Sequence, residues 1–192
     1  KVLQDAGWTM GANGFFQKDG QTATITIGHK TQDRREATVQ AIQAQCRPAG
    51  IQIQDFTSDG FNGKNLSAGN FQVALFAWTG SPYKAGLTGI YHSPVGTLGA
   101  SNFMKYSDPK VDQLLTTADG ELNYSTRAAE LQQADNLIAT DGFTLPLFAV
   151  PEYAVTDGTV VATDQNGKQQ GISDNQASIG VDWDAFTWQK KS

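Results

Sequence analysis

The chain of 192 residues has little of several things that mark other protein classes. It has one cysteine, Cys46, which excludes an internal disulfide framework and a thiolate metal cluster. It has 14 Lys and Arg against 19 Asp and Glu, and no basic run is longer than a pair. Nucleic acid is therefore not expected as a partner. No apolar run approaches the length that a helix needs to span a bilayer.

Motifs for catalysis and metal binding are also scarce. Ser81 lies in T-G-S-P-Y, which lacks the second glycine of a nucleophile elbow. The two histidines, His29 and His92, have no metal-site spacing, and lone histidines are usually polar core or surface residues. Residues 164–167 resemble the start of a calcium loop but lack its later ligands, which favours an Asn-Gly turn. We expect no catalytic residue, no metal site and no cofactor.

The most informative stretch that is present runs from Phe71 to Pro82. Its apolar first part, residues 71–77, predicts a strand buried on both faces. The strand would end in Trp78, Thr79 and Gly80, so that a rigid strand fixes an indole and a glycine lets a ligand approach the main chain. Ligands of open α/β sheets bind just beyond the strand ends. The alternative is a core strand that ends in a Gly-Pro turn.

A strand-helix-strand unit precedes this stretch. Alternation of apolar and polar residues predicts half-buried strands at 23–27 and 51–56. Residues 33–36 have the D-x-x-E spacing of a capping box and open a helix that Pro48 ends. The apolar stripe of that helix consists of Val39, Ile42 and Cys46. The unit predicts parallel strand pairing with a right-handed crossover, and so an α/β fold.

The remaining segments give a second group of elements. Asp108 is predicted to cap one helix, and a second helix is predicted from about residue 125 to 140. A strand is predicted at 143–150, where a proline favours an edge position, and a hairpin at 153–163 around Asp-Gly. The Gly-, Asn- and Ser-rich residues 57–70 are predicted to form a loop.

Six segments form a recognisable series along the chain: VLQDAGW at 2–8, QKDGQ at 17–21, residues 42–53, AWTG at 77–80, residues 101–115 and TLPLF at 144–148. In this order they resemble the motifs of the family 5 extracellular solute-binding proteins, the oligopeptide, dipeptide and nickel class that delivers ligands to ABC importers. The resemblance covers nearly the whole chain, and the tail is similar to actinobacterial members.

The resemblance implies the C-terminal lobe of a type II periplasmic-binding-protein-like fold, an α/β (α+β) mixed sheet. Residues 1–150 would form most of lobe two, and residues 151–192 would cross the hinge and return to lobe one. The whole protein would be non-enzymatic and extracytoplasmic, a lipoprotein or periplasmic, with its signal upstream of this chain. It would capture a solute or peptide by closing on the missing N-terminal lobe, and would deliver it to the membrane subunits of an ABC importer.

The expected ligand contacts are stacking or apolar contact by Trp78, main-chain hydrogen bonds at Thr79 and Gly80, and a polar contact at Ser81. Further members of the wall are expected to be Tyr83, Asn102 and Phe103.

Ser81 stands where peptide-binding members of the family carry an acid that pairs with the ligand's α-ammonium. A serine cannot neutralise a buried ammonium, which weakens the expectation of a peptide and admits a neutral solute. Two alternatives from other classes stay open at this stage. One is a small secreted serine hydrolase with Ser81 as nucleophile, and the other is a structural interaction domain.

Overall fold

The computed structural model of the protein describes residues 1–78, 86–150, 155–164, 166–172 and 185–191. By their contacts the residues fall into two units. The first unit consists of residues 1–77 together with 103–105, and the second of residues 78–102 together with 106–192.

The first unit begins with a short helix and a small meander. Helix α1, Val2–Asp5, is followed by Gly7, which has φ +83° and donates its N–H to Gln4 O at 2.9 Å. This left-handed glycine satisfies a carbonyl of the last turn. The antiparallel strands β1 (Thr9–Met10), β2 (Phe16–Lys18) and β3 (Gln21–Thr22) follow, in the order β1-β2-β3.

The predicted strand-helix-strand unit is confirmed. Strand β4, Thr24–His29, leads into helix α2, Asp33–Cys46, and then into strand β5, Gln52–Thr57, which pairs with β4 in parallel. Alternate strand residues face α2 and build an apolar core with its predicted stripe. That core consists of Ile27, Val39 and Ile53, with Ile42 and Cys46 packed against it.

The predicted capping box of α2 is wrong. The N-cap residue is Gln32, whose φ of −171° and ψ of 126° make it the last extended residue, and no side chain caps this end. Asp33 is therefore already inside the first turn, where its carboxylate is not placed to accept the N–H of Glu36 as an N-cap does. Both acids instead stand where the helix dipole favours negative charge.

The predicted strand buried on both faces at 71–77 is also wrong. Strand β6 contains only Val73–Ala74, lies at the edge of the sheet in the order β5-β4-β6, and leaves Val73 42% exposed. It pairs with β4 only at Ile27 and Gly28. Nearer the start of β4, the N–H of Thr26 donates to the side-chain Oε1 of Gln72 at 2.8 Å. In the part of the chain that the structure describes, β6 has no second neighbour, which explains the exposure.

The predicted loop at 57–70 contains a helical segment, Asn62–Leu66. Phe61, immediately before it, is fully buried and meets Phe56 edge-on, with ring centroids 6.2 Å apart. A Cβ at Gly28 would lie 2.3 Å from Cε2 of Phe61, so the ring occupies the space that a side chain on β4 would need. The absence of a side chain at residue 28 thus makes room for the largest buried residue of this unit.

The second unit is built on a helix pair. Helix α3 is Leu87–Tyr91, helix α4 is Pro109–Gly120 and helix α5 is Tyr124–Thr140. The predicted cap of α4 is confirmed, since Asp108 accepts from the N–H groups of Lys110 at 2.7 Å and Val111 at 3.4 Å. The core between α4 and α5 consists of Val111, Leu115, Ala134 and Ile138.

Residues 143–150 form no strand, so that prediction is wrong. The segment carries Pro146, which has no N–H to donate to a sheet ladder, and its apolar side chains at Leu145, Leu147 and Phe148 are exposed. A strand of this composition needs a neighbour that covers its face, and the described residues supply none.

The last sheet is antiparallel and lies in the order β8-β7-β9, with β7 at Val160–Thr163, β8 at Gln169–Gln170 and β9 at Trp188–Lys190. The hairpin predicted at 153–163 is wrong where it can be compared. Residues 155–159 form no strand, residues 151–154 lie outside the described residues, and β7 pairs with β8 and β9. The predicted Asn-Gly turn is confirmed between β7 and β8, with Gly167 at φ +77°.

Candidate functional site

Trp78 is the predicted aromatic anchor at the end of the ligand strand, and it lies within the residues that the structure describes. It follows β6 by four residues and is 43% exposed, which leaves part of its indole accessible. Thr79, Gly80, Ser81 and Tyr83 lie outside the described residues. Their predicted ligand contacts, and that of Trp78, stay predictions.

Asn102 holds a loop of the second unit closed. Its side chain is buried, and its Nδ2 donates to the main-chain oxygens of His92 at 3.0 Å and Tyr106 at 2.8 Å. Its Oδ1 accepts from the N–H of Tyr106 at 3.0 Å. The amide thus satisfies three main-chain groups of the segment between α3 and α4. Its predicted place in the ligand wall stays a prediction, and its hydrogen bonds show a role in shaping that segment.

Other buried polar groups support the same segment. The N–H of Ser93 donates to Asp112 Oδ1 of α4 at 2.8 Å, and the hydroxyl of Ser93 donates to that of Ser107 at 2.9 Å. The hydroxyl of Thr88 donates to the carboxylate of Asp119. These contacts tie an irregular stretch to a regular helix through its acidic residues.

Gly99 lets this segment fold tightly against itself. It has φ +63°, and a Cβ there would lie 2.2 Å from the main-chain oxygen of His92. Both conditions require glycine at this position. Sequence reasoning missed the whole network, although the spacing of Asn102 to Tyr106 in a Ser- and Gly-rich stretch was a signal of a closed loop.

Phe103 belongs to the first unit, where it is half-buried and meets Phe76 edge-on with ring centroids 6.2 Å apart. The contact extends the apolar segment that follows β6, in which Leu75 packs against the core of α2 and the parallel sheet. A ring at this position can serve as an apolar wall, but its predicted contact with a ligand stays a prediction.

Both histidines are buried. His29 is fully buried, with Nδ1 2.9 Å from Lys30 O, and Nε2 2.9 Å from Asp55 Oδ1 without hydrogen-bond alignment. In His92 the Nδ1–H donates to Ser93 O at 2.7 Å. Because His29 has no accessible surface, it cannot act as a base toward a substrate from solution. Within the described ranges, no three His, Cys, Asp or Glu side chains are placed to hold a metal ion.

Tyr106 anchors the far end of the segment that Asn102 closes. Its hydroxyl donates to Asp141 Oδ2 at 2.6 Å, and its ring lies 4.4 Å, centroid to centroid, from that of Phe143. Burial, and then the hydrogen bond to the Asp141 carboxylate, raise the pKa of the Tyr106 hydroxyl well above its ordinary value. The phenol therefore stays a neutral donor, as this bond to a carboxylate requires.

The chain is similar in sequence and in fold to known proteins. No protein-family profile matches it. The oligopeptide-binding protein OppA of Mycobacterium tuberculosis is 31% identical to it over 155 residues, which is 79% of this chain and 25% of that protein. This chain is a relative of the family 5 solute-binding proteins. It spans about a quarter of the length of the curated relatives it matches.

Solved structures agree with that relationship at the level of the fold. The periplasmic EDTA-binding protein EppA superposes with a TM-score of 0.71 at 19% identity, over 100% of this chain and 34% of that protein. NikZ from Campylobacter jejuni, solved with Ni(L-His), superposes with a TM-score of 0.64 at 17% identity, over 98% of this chain and 38% of that protein. The predicted family resemblance and the predicted α/β fold class are therefore confirmed.

The relatives that are 31% identical to this chain are named oligopeptide-binding proteins. Among the residues that the structure describes, no helix combines the length and apolar character needed to cross a membrane.

Proposed function

We propose that the protein to which this chain belongs is an extracytoplasmic substrate-binding protein that captures a peptide or another small solute and delivers it to an ABC importer. The 31% identity to OppA over 79% of the chain carries this proposal. The superposition on EppA over the full chain supports it. Since the chain spans a quarter of its curated relatives, capture is a property of the longer protein, with this chain supplying one part of the binding surface.

Trp78 is the main ligand contact that we propose for this chain. An indole that is 43% exposed retains apolar area that a ligand can cover, and the following Thr79 and Gly80 offer main-chain groups. Asn102 is assigned a supporting role, because its amide already makes three main-chain hydrogen bonds. We expect the wall to depend on Asn102 for its shape and on Trp78 for contact.

The chain has no catalytic role in this proposal. A serine hydrolase would need an accessible base beside Ser81, but both histidines are buried, with 0% of His29 and 8% of His92 exposed. We expect the longer protein to show no ester or peptide hydrolysis, so that the wild type and Ser81→Ala do not differ in this assay. Ester or peptide hydrolysis that disappears in this variant would support the enzyme instead.

The test is ligand binding by the longer protein. Mass spectrometry of co-purifying small molecules identifies the ligand, and calorimetry then compares the wild type with Trp78→Ala and with Tyr124→Ala, whose exposed ring on α5 is the matched control. We expect the loss of an aromatic anchor at residue 78 to weaken binding by about 2 kcal/mol, and the control to leave it unchanged. Equal binding by all three proteins would show that Trp78 is no ligand contact.

The role of Ser81 is tested on the same wild-type protein. If no acid neutralises an α-ammonium at residue 81, free and N-acetylated forms of a peptide should bind with similar affinity. A strong preference for the free amine would contradict this expectation, since a charge-assisted bond to an ammonium contributes about 2 kcal/mol.

A further inference from the structure

The sequence contains three Asn-Gly pairs, at residues 13–14, 62–63 and 166–167. An asparagine side chain followed by glycine can lose ammonia, because the glycine nitrogen is sterically open to attack the side-chain carbonyl carbon Cγ. All three asparagines are exposed, so exposure does not distinguish their rates of ammonia loss. Their local geometry differs, and it predicts which asparagine loses ammonia fastest.

Asn13 lies in the loop between β1 and β2. Its Oδ1 accepts a hydrogen bond from the N–H of Phe15 at 3.1 Å, which closes an Asx turn around Gly14. This turn folds the side-chain carbonyl over the main chain on the side of Gly14, the attacking residue. The same N–H polarises the carbonyl and is aimed at the oxygen on which negative charge develops during attack. No atom outside the immediate chain neighbours lies within 4 Å of a Cβ built at Gly14, so the approach is open.

Asn166 provides the matched comparison. It also lies in a hairpin turn, and the N–H of Gly167 donates to Asp164 O at 3.0 Å, as the N–H of Gly14 donates to Gly11 O at 3.0 Å. The two attacking nitrogens are thus engaged alike. The Asn166 side-chain amide, however, makes no hydrogen bond with any residue that the structure describes, so none of these residues orients or polarises its carbonyl.

Asn62 is the unfavourable case. It opens the helical segment Asn62–Leu66, and its main-chain oxygen accepts from both the N–H and the hydroxyl of Ser67. Side chains of a helix point toward its N-terminus, which directs Cγ away from the nitrogen of the next residue. The helix must open before Gly63 can attack.

We infer that Asn13 is a site of spontaneous deamidation, promoted by the Phe15 N–H. The Gly14 nitrogen gives up its proton to solvent and forms a bond to Cγ of Asn13. The Cγ–Nδ2 bond then breaks, and Nδ2 takes up a proton and leaves as ammonia. Water opens the resulting cyclic imide at either carbonyl, which gives aspartate or isoaspartate at residue 13. No oxidant or enzyme is needed.

The product would change the meander locally. Either acid places a carboxylate in the loop, and isoaspartate also adds one carbon to the main chain between β1 and β2. The pairs Thr9↔Gln17 and Met10↔Phe16 depend on the length of this loop.

The test is a time course of the full chain at mildly alkaline pH, with peptide mass spectrometry to follow the loss of each asparagine. One oriented N–H donor is worth about 10²–10³ in rate inside enzyme sites, and in an exposed loop we expect about tenfold faster loss of Asn13 than of Asn166. Asn62 should be the slowest. In denaturant the three rates should become equal within about twofold, because only the native turn orients Asn13. Any other native order, equal native rates, or the same ranking in denaturant would overturn the inference.

Discussion

The two units of the chain keep their shapes by different means. In the first, β4 and β5 pack against α2 through Ile27, Val39 and Ile53, so that apolar burial fixes the sheet. In the second, the segment between α3 and α4 has little regular structure and is held by the buried amide of Asn102 and its polar neighbours. Apolar burial follows the period of a helix or strand, whereas bonds from side chains to the main chain follow no period.

The largest effect on the free energy of unfolding should come from removing the buried ring of Phe61 in the first unit. Phe61→Ala deletes a fully buried ring over Gly28 and leaves a cavity, which typically costs about 3–5 kcal/mol. Equilibrium unfolding in urea measures the free energy of unfolding. Phe186→Ala is the matched control, since that ring is 86% exposed and should change stability by less than about 0.5 kcal/mol. A cost at residue 61 as small as the control's would refute the assignment of this unit to apolar burial.

A somewhat smaller effect is expected in the second unit. Asn102→Asp keeps an acceptor for the N–H of Tyr106 but sets a carboxylate oxygen against two main-chain oxygens that the amide nitrogen now satisfies. The two unpaired carbonyls and the buried charge should together cost about 2–4 kcal/mol. Asn136→Asp on the exposed face of α5 is the control. If both changes are tolerated equally in urea unfolding, the segment is not held by its polar network and the contrast between the units fails.

The smallest expected effect separates the N-terminus of α4, which Asp108 caps, from that of α2, which no side chain caps. Asp108→Ala removes the side chain that accepts from two N–H groups of α4 and should cost about 1 kcal/mol. Asp33→Ala removes only a charge near the helix dipole of α2 and should cost a few tenths of a kcal/mol. Both variants are measured in the same unfolding experiment. A larger loss at Asp33 than at Asp108 would contradict the assignment of the caps.

The elements that could be predicted from the sequence are those whose burial is set locally. The stripe of α2 and the cap of α4 depend on residues within a few turns of each other. Strand β6 and residues 143–150 could not be predicted, because an apolar run becomes a strand only where a neighbour offers a free ladder. Phe61 was missed because it stands alone in a Gly-, Asn- and Ser-rich stretch, and its burial depends on the missing side chain of Gly28.

The candidate site divides in the same way. The sequence predicts Trp78 directly at the end of a buried strand, whereas β6 ends at Ala74, four residues before Trp78, and is an edge strand. The supporting network could not be predicted, because His92, Asn102 and Asp112 come together only when the chain between α3 and α4 folds back on itself.

The side chain of Gln72 has a consequence for solubility. Strand β6 covers β4 only at its second half, which would leave the N–H of Thr26 open to a carbonyl of another chain. Exposed strand edges are starting points for intermolecular pairing and aggregation. The Gln72 carbonyl occupies that N–H at 2.8 Å, so one amide shields the part of β4 that β6 does not reach. We expect this side chain to reduce intermolecular strand pairing. Its carboxamide oxygen accepts the Thr26 N–H as the carbonyl of a neighbouring strand would, but the side chain has no further ladder groups with which another chain can pair.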